Sequence, residues 1–255
     1  MTYAYHLLFI ALLFSSCKNE PMLRFSSESF NQQDLEICKD QPCSTVIIDY
    51  VKAMGDTEIS EKINSKIKEQ IIEALFLGDD VIPTVNDIPE VATHFIMSFR
   101  DHQPDFPSEL DFESYEAEVT ITNPFLNENR ACIEIQLYLF TGGAHGYGGT
   151  SFINFDVQTG EEIKTKDLFI NYDEFEAFAE TKFKEAHDIP LEDNINASGF
   201  WFDNDNFYLP ESMGFDDKGL IVIYNPYEIA SYAEGPVLLE IPFAEVLPFL
   251  DKQYR

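Results

Sequence analysis

The sequence predicts an α+β fold, with antiparallel sheets and three main helices packed on them. Three observations predict it. Apolar residues recur near every fourth position in only three segments, they alternate strictly in others, and the two kinds of segment are grouped rather than interleaved one for one.

Taken in order, "CSTVIIDYV" is a β-branched run of the kind that forms strands. Beyond Gly55, Ile59, Ile63, Ile67, Ile71 and Leu75 mark one face of a first helix, with Gly78 just after its end. Asp87 is placed to cap a second helix, whose apolar face carries Val91, Phe95 and Phe99; Pro104 and Pro107 close it. The period then falls to two. Tyr115, Ala117, Val119 and Ile121 alternate with polar neighbours, and "NPFLNENR" turns that strand into "ACIEIQLYLF", a hairpin with one buried face. "TSFINFDVQTGEEIK" adds two strands about a turn at Gln158-Thr159-Gly160. A third helix is expected from about Asp173 to His187, on the spacing of Phe175, Phe178, Ala179, Phe183 and Ala186. "NFYL", "GLIVIY" and "PVLLEIPF" read as further strands, followed by a short helix.

Ahead of these elements, Leu7 to Phe14 is an unbroken apolar run. A bilayer needs roughly 20 apolar residues, whereas a signal-peptide core needs about 7 to 15. Phe14-Ser15-Ser16-Cys17 resembles the lipobox of bacterial lipoproteins, although no Lys or Arg precedes the run. The expectation is a signal segment over 1–17, lipidated at Cys17, with plain secretion or a buried N-terminal helix as the alternatives. A polar tether over 18–42 with room for one edge strand follows, then the N-terminal part of the α+β unit over 43–149 and a C-terminal domain over 150–255.

With 45% hydrophobic residues and 23 Phe, the 255-residue chain is globular. Its net charge of −30, from 46 acidic against 16 basic side chains, repels nucleic acid and anionic membranes. It suits either a solvated acidic coat or a basic partner. Any membrane contact is expected through the lipid anchor only, and the oligomeric state is left open. Of four cysteines, Cys38 and Cys43 in "CKDQPC" close a small loop and are the preferred disulfide. Cys132 lies in a strongly patterned strand, as a buried free thiol. The spacing offers no zinc site.

The stretch "TGGAHGYGGT", Thr141 to Thr150, is the most unusual in the chain. It lacks the Lys of a Walker loop, and a strand rather than a helix follows it, so neither a phosphate cradle nor a dinucleotide loop is expected. No HExxH or GxSxG occurs anywhere, and Ser65-Lys66-Ile67-Lys68 lacks the companion motifs of an SxxK enzyme. "DNDNF" at Asp203 to Phe207 fails as a calcium loop, because Tyr208 stands where Gly is required. Three readings of the loop stay open: a tight corner with His145 bonded to a neighbouring carbonyl, a ligand-binding loop using left-handed glycines, and a catalytic loop. No metal, cofactor or catalytic residue is assigned.

"TGGAHG" after a hairpin, then "FINFDVQTGEEIKTKDLF" and "GLIVIYNPYEIASYAEGPVLLEIPFAEV", resemble the bacterial extracytoplasmic PdaC/RsiV-like family. The likeness covers Cys43 to about Leu250. Its strongest signatures are Gly142-Gly143-Ala144-His145 and Asn225-Pro226-Tyr227-Glu228-Ile229-Ala230. That family includes the lysozyme-sensing outer part of an anti-sigma factor and a non-catalytic module of a peptidoglycan deacetylase. Neither a deacetylase domain nor a membrane helix with a sigma-binding part is recognisable here, so neither activity is expected. The resemblance implies a lipoprotein of the cell envelope that binds or senses peptidoglycan, or a basic wall-degrading protein such as lysozyme. The candidate ligand-binding residues are Gly142, Gly143, His145, Gly146, Tyr147 and Tyr227. The alternative is a hydrolase of wall fragments with His145 as acid or base, since His titrates nearest neutral pH.

Overall fold

The computed structural model describes residues 23–39, 41, 43–55, 57–78, 83–102 and 114–255. The expected signal segment with Cys17 and the helix stop at Pro104 and Pro107 lie outside these residues. The fold is α+β, with two mainly antiparallel sheets, three substantial helices and one short one among the described residues.

The first sheet has six strands in sequence order: β1 (Phe25–Asn31), β2 (Thr45–Ala53), β3 (Glu116–Leu126), β4 (Arg130–Phe140), β5 (Tyr147–Asp156) and β6 (Glu162–Ile163). All its pairings are antiparallel except β2 with β3. That parallel pair departs from the antiparallel expectation for a topological reason. Two helices, α1 (Glu58–Leu75) and α2 (Ile88–His102), connect β2 to β3, and a crossover of this kind brings the chain back in the same direction. Thr57 caps α1 through a reciprocal box with Ser60, and the Asp87 side chain accepts from the Glu90 amide at 2.8 Å to start α2. The helices bury Ile63, Ile67, Ile71, Val91 and Phe95 against Val46, Ile48, Val119 and Ile133 of the sheet.

The edge strand for which the 18–42 stretch leaves room is Phe25–Asn31, which pairs along its whole length with β2, while Phe25 and Phe30 pack on the first core. Two further expectations are corrected. The boundary between 149 and 150 falls inside β5, whose Ile153 and Phe155 belong to that same core; the break between lobes follows β6 instead. "NFYL" is not a strand. It has no pairing partner, and Phe207 and Leu209 are buried in the second core as single anchors.

The second lobe holds α3 (Tyr172–Ala186), the antiparallel sheet β7 (Met213–Phe215), β8 (Gly219–Tyr224) and β9 (Val237–Pro242), and the one-turn α4 (Phe243–Val246). Its core is aromatic: Phe183 meets Phe202, Phe207 and Tyr224 at centroid distances of 5.4, 5.6 and 5.9 Å. The lobe packs on the helix-free face of the first sheet, so the start of β4 is buried on both faces. Ala131 and Ile133 face one core and Cys132 the other. Beside Cys132, the Arg130 guanidinium lies 3.6 Å from the Phe215 ring centroid, and Nη1 donates to the Tyr254 carbonyl at 2.8 Å. Burial pulls its pKa down to about 10.

The second lobe covers only part of that sheet face. Toward the other end, Glu118, Thr120, Gln136 and Tyr138 stay exposed, and there the β4–β5 connection carries the glycine-rich loop. This division of one sheet face into a covered and an open part positions the candidate site.

Candidate functional site

Each glycine of the loop has its own physical account. Gly142 and Gly143 both have φ of +96°, a region that L side chains rarely adopt, so they make the corner after β4. Gly146 is buried under Tyr138, whose ring would lie 2.5 Å from any added Cβ. At Gly149 an added Cβ would come within 3.3 Å of Tyr147 and 3.5 Å of Asn225 Oδ1. Gly148 sits inside β5 without a left-handed φ, and an added Cβ would meet only the Leu137 carbonyl, at an ordinary 3.7 Å.

His145 is exposed. Its Nδ1 lies 2.9 Å from the Gly146 carbonyl, which can only accept, so that nitrogen carries the proton. This is the local bond a tight corner would make. The ring also does something a corner does not require: it stacks on Tyr232, centroids 4.0 Å apart and planes 20° from parallel. Tyr232 Oη donates to the same Gly146 carbonyl at 2.9 Å, and Tyr227 continues the file at 5.5 Å from the Tyr232 centroid. His145, Tyr232 and Tyr227 therefore form a short ladder of rings from both lobes.

Tyr227 is held in an uncommon conformation. Its φ is +74°, while 55% of its surface is exposed. A non-glycine residue in the left-handed region costs about 1–2 kcal/mol. Here the turn is closed by Glu228 N donating to Asn225 O at 3.0 Å and Tyr227 N to Ala230 O at 3.1 Å. Asn225 anchors this turn to the first sheet, its Oδ1 accepting from Thr150 N at 2.7 Å and its Nδ2 donating to Thr150 O at 3.0 Å. Glu228 extends the surface: its carbonyl accepts from Trp201 Nε1 at 3.3 Å and from Tyr208 Oη at 3.4 Å. Burial, and then the Glu228 carboxylate, raises the pKa of the Tyr147 phenol, so that group stays a neutral donor. Tyr147 and Trp201 are 41% and 46% exposed.

The sequence-derived candidates Gly142, Gly143, His145, Gly146, Tyr147 and Tyr227 thus fall into one region. The disulfide candidates do not join it. Cys38 and Cys43 are bonded, Sγ–Sγ 1.98 Å, in the β1–β2 connection, with β3 standing between that connection and the glycine loop. Arg100 Nη2 donates to the Ile37 carbonyl beside them at 2.9 Å. Cys132 is a buried free thiol. Sequence reading missed Tyr232, Asn225 and Trp201 as site residues. For Tyr232 and Asn225 the aromatic and proline density of "YNPYEIASYAEGP" was the available signal.

Comparison with known proteins agrees with the architecture. Residues 164–244, starting just after β6, match the model of a family described as a protein of unknown function, DUF3298. Among solved structures, the chain is similar to a member of that family from Bacteroides fragilis. The two are 21% identical with a TM-score of 0.70, over 91% of this chain and 94% of that one. It is also similar to a DUF3298 family protein from Pseudomonas aeruginosa PAO1, 16% identical with a TM-score of 0.62, over 92% of this chain and 97% of that one. At these identities the likeness is one of fold. No curated protein matches the chain.

Proposed function

We propose that the protein is a non-catalytic binding or sensing lipoprotein of the bacterial cell envelope, held there through Cys17. Its ligand is a basic wall-degrading protein such as lysozyme, or the wall glycan itself; the ring ladder favours the protein. The observation that carries this reading is Tyr227, kept exposed at φ +74° and backed by Tyr232 and His145. An exposed aromatic residue fixed in advance loses little freedom on binding, and tyrosine and tryptophan are the residues that dominate protein interfaces. Tyr147, Trp201 and Glu228 widen the patch, and a chain of charge −30 steers a basic partner toward it. The resemblance to the PdaC/RsiV-like family supports the same reading.

Hydrolysis with His145 as acid or base has less support, because the contacts described at its ring are the Gly146 carbonyl and the Tyr232 face rather than a carboxylate. Pull-down with lysozyme and with wall fragments at low and high salt, alongside a product assay on the same samples, tests the proposal. Lysozyme capture that weakens with salt, without product, is the expected result. Product formation lost in a folded His145→Ala protein would overturn it. For the anchor, wild type should partition into detergent and Cys17→Ser should not; equal partitioning would refute lipidation.

A further inference from the structure

A groove of about 580 Å³ lies away from the ring ladder, at the edge of the first sheet. Helix α1 packs over β2 and β3, and β1 reaches past it, so the groove opens between α1 and the ends of β1 and β2. Its volume lies in the range of small-molecule sites, about 300–1,000 Å³. Bonds within the chain fix its floor. Asn64 Oδ1 accepts from the Ala53 amide at 2.7 Å, its Nδ2 donates to the Ala53 carbonyl at 2.9 Å, and the buried Ser60 hydroxyl donates to the Gly55 carbonyl.

The walls are charged. Glu61 and Lys68 share one stripe of α1, and Glu28 and Lys52 stand on β1 and β2. After Gly55 the helix runs back along β2 with Asn64 level with Ala53, so Glu61 stands at the Lys52 end and Lys68 toward the Glu28 end. Exposed charges by themselves make an ordinary solvated surface. These differ in their pairing. Lys62 and Lys66, on the neighbouring stripe of the same helix, close onto Glu161 at 2.6 Å and Glu162 at 3.5 Å. Lys52, Lys68, Glu28 and Glu61 close no ion pair among the described residues, although each end of the groove holds one charge of either sign.

The sum of these charges is also unlike the rest of the chain. The protein carries −30, whereas the two lysines and two glutamates of the groove cancel. A ligand of one sign is attracted and repelled alike there, while a molecule carrying both signs at a fixed separation is attracted at both ends. The helix rise of about 1.5 Å per residue puts Glu61 and Lys68 about 10 Å apart. An extended chain covers at most about 3.3–3.6 Å per residue, so about three residues span that distance. Met54, 54% exposed, adds an apolar surface, and the Ser26 and Ser65 hydroxyls can donate or accept along the walls.

We infer that this groove is a binding site for a short zwitterionic peptide, about three residues long, with both termini free. Its ammonium group meets Glu61 and its carboxylate meets Lys68. Lys52 and Glu28 on the opposite wall balance those two charges and so disfavour ligands of high net charge. None of these residues belongs to the ring ladder, and the inference does not rest on the partner proposed above.

The test is calorimetric titration of the whole chain in mild detergent with trialanine, N-acetyl-trialanine, trialanine amide and free alanine. Trialanine is expected to bind, and blocking either terminus, or shortening the ligand to alanine, should weaken binding at least tenfold. Glu61→Gln and Lys68→Met, both exposed changes, should each weaken trialanine about tenfold with the fold retained, the equivalent of one lost hydrogen bond to a charged group. Tyr227→Gly, in the ring ladder, should bind trialanine as wild type does. No binding of trialanine, equal binding of a blocked form or of alanine, or wild-type affinity in both groove variants would each overturn the assignment.

Discussion

The ring of His145 lies on the ring of Tyr232 at a centroid distance of 4.0 Å, and both side chains bond to one carbonyl, that of Gly146. The contact joins the glycine loop of the first sheet to the turn before β9, so the loop is fastened rather than merely bent. Tyr232→Phe keeps the stack and loses the hydroxyl bond, and should cost about 0.5–1.5 kcal/mol. Tyr232→Ala loses both, and should cost about 2 kcal/mol while speeding hydrogen exchange at Gly146 and Tyr147. Denaturant titration with exchange at those amides checks this. Wild-type protection in Tyr232→Ala would show that the loop holds itself.

Local signals made much of this fold readable. Ala117, Val119 and Ile121 alternate and are buried as alternation requires; Ile63, Ile67, Ile71 and Leu75 repeat at helical spacing and are buried likewise. What could not be read depends on partners distant in sequence. An edge strand is expected between 18 and 42, but its bounds, Phe25–Asn31, are set by the pairing with β2, and β2 runs parallel to β3 because two helices intervene. The site has the same character. The loop residues stood out by composition, but Tyr232 meets Gly146 across 86 residues and Asn225 meets Thr150 across 75. No periodicity encodes such a meeting.

His187, at the end of α3, should make the second lobe sensitive to mild acid. Burial lowers its pKa, outweighing the opposing effects of a hydrogen bond to the Leu238 backbone and of Asp188; Phe183 and Phe200 pack on its ring. Because the folded value lies below the unfolded value of about 6.5, the unfolded chain binds a proton that the folded one does not. Stability from this group is therefore complete above the unfolded value and is lost as pH falls below it toward the folded value. His187→Gln should flatten the dependence of unfolding free energy on pH in that window. A slope equal to that of wild type would contradict the prediction.

Cys132 should be inert in the folded protein. Burial pushes its thiol pKa up to about 12, and the sulfur accepts from the Phe215 amide at 3.2 Å. Iodoacetamide at neutral pH should label it only after unfolding, and non-reduced peptide maps should show Cys38 joined to Cys43. Rapid labelling of native protein, or Cys132 in a disulfide, would count against the packing between the two sheets.

The most direct test of the proposed interface is Tyr227→Gly. Glycine accepts φ +74° without strain, which offsets the entropy cost of about 0.4–1 kcal/mol that glycine adds to the unfolded chain. Stability should therefore stay within about 1 kcal/mol of wild type while the exposed ring is lost. The measurement is the dissociation constant for lysozyme, for wild type and variant, at 0.1 M and 1 M salt, between which the Debye length falls from about 10 Å to about 3 Å. The account predicts that wild-type binding weakens with salt and that Tyr227→Gly loses at least tenfold in affinity at low salt while remaining folded. Equal affinity of a folded Tyr227→Gly protein, or binding indifferent to salt, would contradict it.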